Sequence, residues 1–267
     1  MGDYKKITGR FGADREQKLR SIKRFSIAEV FLYRSSLWQH SLRVYFITRE
    51  LSKIAGESIP GYDADKAEIL ALVHDDAEMI TGDVQLGHKE AMSDAELNEV
   101  HNNEAKAIGF LASDDDAPTT LSLGRKHYFY GSLLYHALQK DCVEAQVVSY
   151  ADKLDAYCES LHELFAGNLL ALRPAMSYGP RLKEFGKKYP LLKPLLSRTD
   201  SIFANPGALL DSMRFHRRNY LHLGKPHTIE SIHKDTEFTF YNLWRKIVLD
   251  NLGEEGLWWL ITQVETM

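Results

Sequence analysis

Apolar residues recur at helical spacing along most of the chain. Between residues 36 and 55, Leu37, His40, Val44, Ile47, Leu51 and Ile54 stand three or four apart, while Arg43, Glu50 and Lys53 fall elsewhere on the wheel. This predicts an amphipathic helix with Gly56 as its stop. A second helix is predicted over 64–80 through Ala67, Leu70, Ala71, His74 and Ala77, ending at Gly82. The stretch SDAELNEVHNNEAKAIGFLA predicts a third, with Ser93 as N-cap and Glu96 three residues later in the capping-box arrangement. SDDDAPTT reads as a loop whose acidic run is solvated, and a long helix is predicted over 141–166, ending at Gly167 and Asn168. Strand signals are scarce and no repeat of 20 to 50 residues is present, so the expected fold class is all-α rather than a solenoid.

From residue 171 the texture changes. Pro174, Pro180, Pro190, Pro194 and Pro206 interrupt short helical segments, followed by stronger helical patterns over 206–222 and 235–263. The organisation expected is a core over residues 1–170 and a C-terminal helical extension over 171–267 packed on it, with a soft boundary and no low-complexity linker. WRKIVLDNLGEEGLWWLITQV holds three of the four tryptophans, which reads as burial or an oligomer contact. A homodimer or higher homo-oligomer is expected.

Composition narrows the classes. With 267 residues and 44% hydrophobic content the chain can bury a sizeable core, and 8 prolines and 17 glycines exclude collagen-like and disordered classes. A net charge of −4 and a pI near 6.3 give no basic footprint for nucleic acid. MGDYKKITGR lacks the apolar stretch of a signal peptide, and no run reaches the roughly 18 apolar residues of a membrane span, so a cytoplasmic protein is expected. Lys6 stands where a myristoylation signal carries Ser or Thr. Cys142 and Cys158 form no C-x-x-C pair and read as small core residues.

The chemistry lies in ALVHDDAEMITGDV, residues 71–84. His74 shares a helix face with Leu70 and Ala71, and Glu78 lies one turn further along. A single histidine on an apolar face is more often a hydrogen-bonded core residue than a ligand. His40, however, also takes the inward face of its helix, and Asp152 lies beside the row Val147, Ala151, Leu154 and Cys158. Three helices thus offer metal-competent groups, and burying ionisable groups together is costly unless they pair or bind a cation.

The ordered set His40, His74–Asp75 and Asp152 resembles the HD-domain metal-dependent phosphohydrolases. WQHSLRV, LVHDDAEMITGD and YADKLDAYCESLHELFAGN narrow the resemblance to the bacterial 5′-deoxynucleotidase branch, over residues 18–170. It implies an HD-domain helical bundle and hydrolysis of deoxyribonucleoside 5′-monophosphates by a metal-activated water. Two imidazoles and two carboxylates, from His40, His74, Asp75 and Asp152, suit one divalent transition ion such as Co, Mn, Zn, Fe or Ni. Such an ion keeps positions open for water and a phosphate oxygen.

The same resemblance implies that Glu78 orients water or transfers a proton, where a salt bridge would be the bland reading. It places Asp83 at the sugar 3′-hydroxyl, although TGD is also ordinary turn chemistry. Arg24 and Lys89 are implied phosphate contacts, where surface solvation is the bland reading. Asp76 reads as a solvated neighbour. Arg24-Phe25-Ser26 replaces the family's Arg-Trp-Pro, whose indole senses the sugar 2′ position, so Phe25 leaves more room and implies weaker deoxyribose selection. VQLGHKEAM after Asp83 lacks the expected prolines.

Three other readings compete. A deoxynucleoside triphosphate triphosphohydrolase would use Arg125 and Lys126 for a longer phosphate chain. A two-metal HD phosphodiesterase would recruit His88, His101, His127 or His136. A non-catalytic HD-fold binding module would have no use for a complete ligand set.

Overall fold

Ser36 opens the first long helix by a reciprocal cap: its hydroxyl accepts from the Gln39 N–H, while the Gln39 side chain accepts from the Ser36 N–H. The computed structural model describes residues 13–25, 35–115, 117–165 and 171–198. These fall into two compact units. Residues up to 24 and from 35 to 151 form one, and residue 25 with those from 152 onward forms the other.

In the first unit α1 is Ala13–Ser21, α2 Leu37–Ser58, α3 Ala64–Val73, α4 Glu78–Thr81, α5 Leu86–Lys89, α6 Asp94–Ser113 and α7 Tyr130–Gln139. Helix α8, Val143–Phe165, contributes residues to both units. Helices α2 and α3 lie side by side, α1 packs on α2, and α7 touches α3 and α6. Val44, Ile47, Leu51, Ala67, Leu70 and Ala71 are buried between them, which is the apolar face read from the periodicity. Ser93 and Glu96 cap α6 reciprocally, as the sequence predicts. Helices α6 and α7 approach closely at Gly131, where a Cβ would stand 2.8 Å from that of Ala112.

Several expectations need correcting. Helix α2 runs through Gly56 to Ser58, because Pro60 forces the preceding Ile59 into extended backbone (φ −120°, ψ 109°) and so sets the stop. The helix predicted over 64–80 is broken at residues 74–77, which form turns between α3 and α4. Gly82 does end α4, at φ 77°. Residues 120–129 form an unpredicted antiparallel hairpin, β1 Thr120–Leu123 and β2 Lys126–Phe129, joined by Gly124 (φ 60°) and Arg125. Cys158 is a core residue, but Cys142 is half-exposed and accepts from Lys66 Nζ at 3.4 Å.

The second unit continues through α9, Leu172–Lys183, α10, Phe185–Lys188, a 3₁₀ turn over Pro190–Leu192, and α11, Lys193–Leu196. Pro190 and Pro194 sit where short helical segments begin, whereas Pro180, expected to interrupt a helix, lies inside α9. The helices predicted over 206–222 and 235–263, and the tryptophans of the last, lie outside the described residues. Among the described residues no helix is long and apolar enough to cross a membrane.

Candidate metal centre

The Ser36 cap fixes the start of α2 and brings His40 into its first turn, where the imidazole is fully buried. At the end of α3 the backbone tightens. Asp76 N–H reaches Val73 O, Glu78 N–H reaches Asp75 O and Met79 N–H reaches Asp76 O, at 2.9 to 3.1 Å, the shorter-range pattern of a 3₁₀ turn. His74 and Asp75 sit in that turn. The Nδ1 of His74 lies 2.8 Å from Ala71 O, so it carries the proton and leaves the Nε2 lone pair for another partner.

The Nε2 of His74 faces Asp75. His74 Nε2 is 3.2 Å from Asp75 Oδ1, and His40 Nε2 is 3.3 Å from Asp75 Oδ2. The two imidazole rings are 5.3 Å apart at 60°. Potential ligand atoms of His40, His74 and Asp75 all lie within 4.8 Å of one another. Burial acts to raise the pKa of Asp75, but His74 and His40 outweigh it and hold the carboxyl well below its ordinary value. Buried His74 Nε2 has no hydrogen-bond partner. Two imidazole nitrogens, one of them buried without a hydrogen-bond partner, and an ionised carboxylate fit a borderline divalent ion.

Charged groups surround the cluster. Arg24 is buried with Nη1 3.9 Å from Asp75 Oδ2. Glu78 begins α4, and its Oε2 is buried with no hydrogen-bond partner. Burial, reinforced by the Asp75 and Asp83 charges, pushes Glu78 well above its ordinary pKa, while Arg24 and Lys89 oppose this. Lys89, at the end of α5, donates to Glu104 Oε1 at 3.1 Å; burial disfavours its charge, but Glu104, Glu78 and Asp75 raise its pKa. His40, His74, Asp75, Glu78, Asp83, Arg24 and Lys89 therefore share one unit and one electrostatic neighbourhood.

Asp152 and Phe25 belong to the other unit. Asp152 is half-buried on α8, its carboxylate 3.6 Å from Lys153 Nζ. Phe25 is half-buried with φ 51°, a left-handed conformation uncommon for an aromatic residue. Asp76 is not solvated. It is fully buried, accepting from Arg15 Nε at 2.8 Å, Arg15 Nη2 at 2.6 Å and Tyr130 Oη at 2.7 Å. Periodicity put Asp76 off the apolar face, and only its adjacency to His74–Asp75 could have drawn notice.

Among the described residues no further histidine joins the cluster. His88 is exposed, His101 contacts Gln139, His127 pairs with Ser122 and His136 with Asp141. His136, Asp141 and Cys142 also lie within ligand reach of one another, but the Lys66 ammonium rests against the Cys142 sulfur. Lys126 is engaged by Asp63 at 2.8 Å and Asp65 at 3.2 Å.

A sequence model described as 5′-deoxynucleotidase YfbR-like matches residues 15–173, a span that contains every residue of the cluster. The 5′-deoxynucleotidase YfbR of Salmonella typhi is 33% identical over 135 residues, covering 49% of this chain and 61% of that protein. A 5′-deoxynucleotidase of Vibrio vulnificus is 30% identical over 131 residues, covering 49% and 63%. The match thus spans less than two thirds of either relative. The 4′-phosphooxetanocin A phosphatase of Priestia megaterium is 29% identical over 161 residues, covering 58% of this chain and 74% of its own. Among solved structures, a Pyrococcus horikoshii protein superposes with a TM-score of 0.50 at 24% identity, covering 67% of this chain and 94% of that one, which bears on the fold alone.

Proposed function

The chain belongs to the 5′-deoxynucleotidase YfbR-like family, and on that premise we propose that it is a metal-dependent phosphohydrolase releasing inorganic phosphate from nucleoside 5′-monophosphates, deoxyribose favoured. The observation that carries this reading is the mutual approach of His40, His74 and Asp75 beside Glu78, whose Oε2 is buried. The fourth ligand in this reading is Asp152, on the strength of the YADKLDAYCES segment alone.

A divalent ion held by these residues would supply positive charge to acidify a bound water and neutralise phosphate oxygens. The remaining roles fall to the chain's own side chains. Glu78, whose burial beside the Asp75 and Asp83 charges favours the protonated carboxyl, can hold a proton beside the reacting groups. Arg24 presents a planar guanidinium and Lys89 a point charge to the phosphate, the charge pattern phosphoryl transfer needs. Asp83 accepts from a sugar 3′-hydroxyl, and Phe25 bounds the 2′ position.

The triphosphohydrolase reading would place a longer phosphate chain on Arg125 and Lys126, of which Lys126, on the hairpin, pairs with Asp63 and Asp65. The two-metal reading loses support because the extra histidines have other partners or face solvent. The deciding experiment is a metal-supplemented hydrolysis panel of nucleoside mono-, di- and triphosphates with the product identified. Orthophosphate from 5′-monophosphates is expected. Triphosphate release from triphosphates would replace this reading with the alternative.

A further inference from the structure

The tightened turn that presents His74 and Asp75 gives up one helical backbone bond. In an unbroken α-helix the Asp76 N–H would bond Leu72 O; here it bonds Val73 O at 3.0 Å, which removes that intrahelical partner. Arg15 takes its place, its Nη2 donating to Leu72 O at 2.6 Å. The same guanidinium doubles back onto Asp76, with Nε to Oδ2 at 2.8 Å and Nη2 to Oδ1 at 2.6 Å. Tyr130 Oη donates to Asp76 Oδ2 at 2.7 Å. All three side chains are buried, and they come from α1, the α3–α4 turn and α7. Arg15 also faces the Trp38 ring at 5.8 Å, two residues before His40 on α2.

We propose that Arg15, Asp76 and Tyr130 are positioning residues: a buried clamp that holds the His74–Asp75 turn in its ligand-presenting form. The inference rests on the metal-centre reading. Stability does not by itself account for such a device, because a buried ion pair is often matched or exceeded by apolar residues of similar volume. What apolar residues cannot do is hold Leu72 O and the Asp76 carboxylate at once, and that double grip fixes the backbone from which Asp75 projects. The clamp and the ligand are adjacent residues, so rotation of the turn moves both.

The test is Co²⁺ titration of the full-length apo-protein by calorimetry, together with the visible spectrum of the Co²⁺ form. The charge-neutral double variant Arg15→Met/Asp76→Leu removes the clamp without a net change of charge near the ion. It should remain folded by circular dichroism, lose about 10–100-fold in Co²⁺ affinity, as loss of outer-shell partners commonly does, and show an altered spectrum. Tyr130→Phe, which keeps the ion pair, should lose severalfold, and it decides the matter if the double variant fails to fold. Wild-type affinity and spectrum in a folded variant would overturn the clamp while leaving the metal centre standing. No Co²⁺ binding by the wild type would overturn the metal centre, and the clamp with it.

Discussion

Asp75 Oδ2 lies 3.3 Å from His40 Nε2, joining the turn after α3 to the first turn of α2. With His74 on its other oxygen at 3.2 Å, the carboxylate is the shared member of the cluster. Asp75→Ala should therefore abolish stoichiometric metal, measured by elemental analysis of the unchelated protein. Unchanged metal content would remove Asp75 from the ligand set. Two ions per wild-type chain would restore the phosphodiesterase reading.

Glu78 differs from the ligands in its expected effect. Its work in the proposed mechanism is on the proton, so Glu78→Gln should retain metal while turnover falls by about 10²–10⁴. Kinetics and metal analysis on the same preparation check this, and full activity with normal metal would exclude Glu78 from the chemistry.

Phe25 carries the prediction on the sugar. Packing alone discriminates a small group by roughly 1–3 kcal/mol, so Phe25→Trp should raise the deoxyribo-to-ribonucleotide ratio of kcat/KM. An identical ratio in both proteins would mean that Phe25 does not line the sugar site.

Asp63 ties the start of α3 to the hairpin. It caps the Lys66 N–H, accepts from Lys126 at 2.8 Å and accepts from Tyr128 at 2.8 Å. Burial acts to raise its pKa, but these partners outweigh it and leave it lowered in the folded protein. Its contribution is thus complete above the unfolded value of about 3.9 and lost as pH falls through the lower folded value. Asp63→Ala should cost about 1 kcal/mol at pH 7 through the lost cap, and the gap to wild type in urea unfolding should shrink on acidification. A gap constant with pH would contradict this.

The parts of the site that local pattern specifies were legible in the sequence. His40 and His74 stood on apolar faces, and Ser93 with Glu96 announced the cap of α6. What escaped depends on distant partners. The break at 74–77 is stabilised by Arg15, nearly 60 residues upstream, and Asp76 reads as surface until Arg15 and Tyr130 are found on its carboxylate. The hairpin escaped for a different reason: two four-residue strands show too little alternation to register as a period. At Gly56 the glycine signal misled because Pro60, acting on Ile59, was the stronger terminator.

The central claim is metal-dependent release of phosphate from a nucleoside 5′-monophosphate at the His40–His74–Asp75 cluster. Its most direct test is orthophosphate release from deoxyribonucleoside 5′-monophosphates by chelated protein, before and after a divalent transition ion is added back, with Asp75→Ala in parallel. The chelated wild type should be inactive and regain activity with the ion, and the variant should stay inactive at the same concentration. Phosphate release that survives chelation, or that Asp75→Ala matches, would contradict the account.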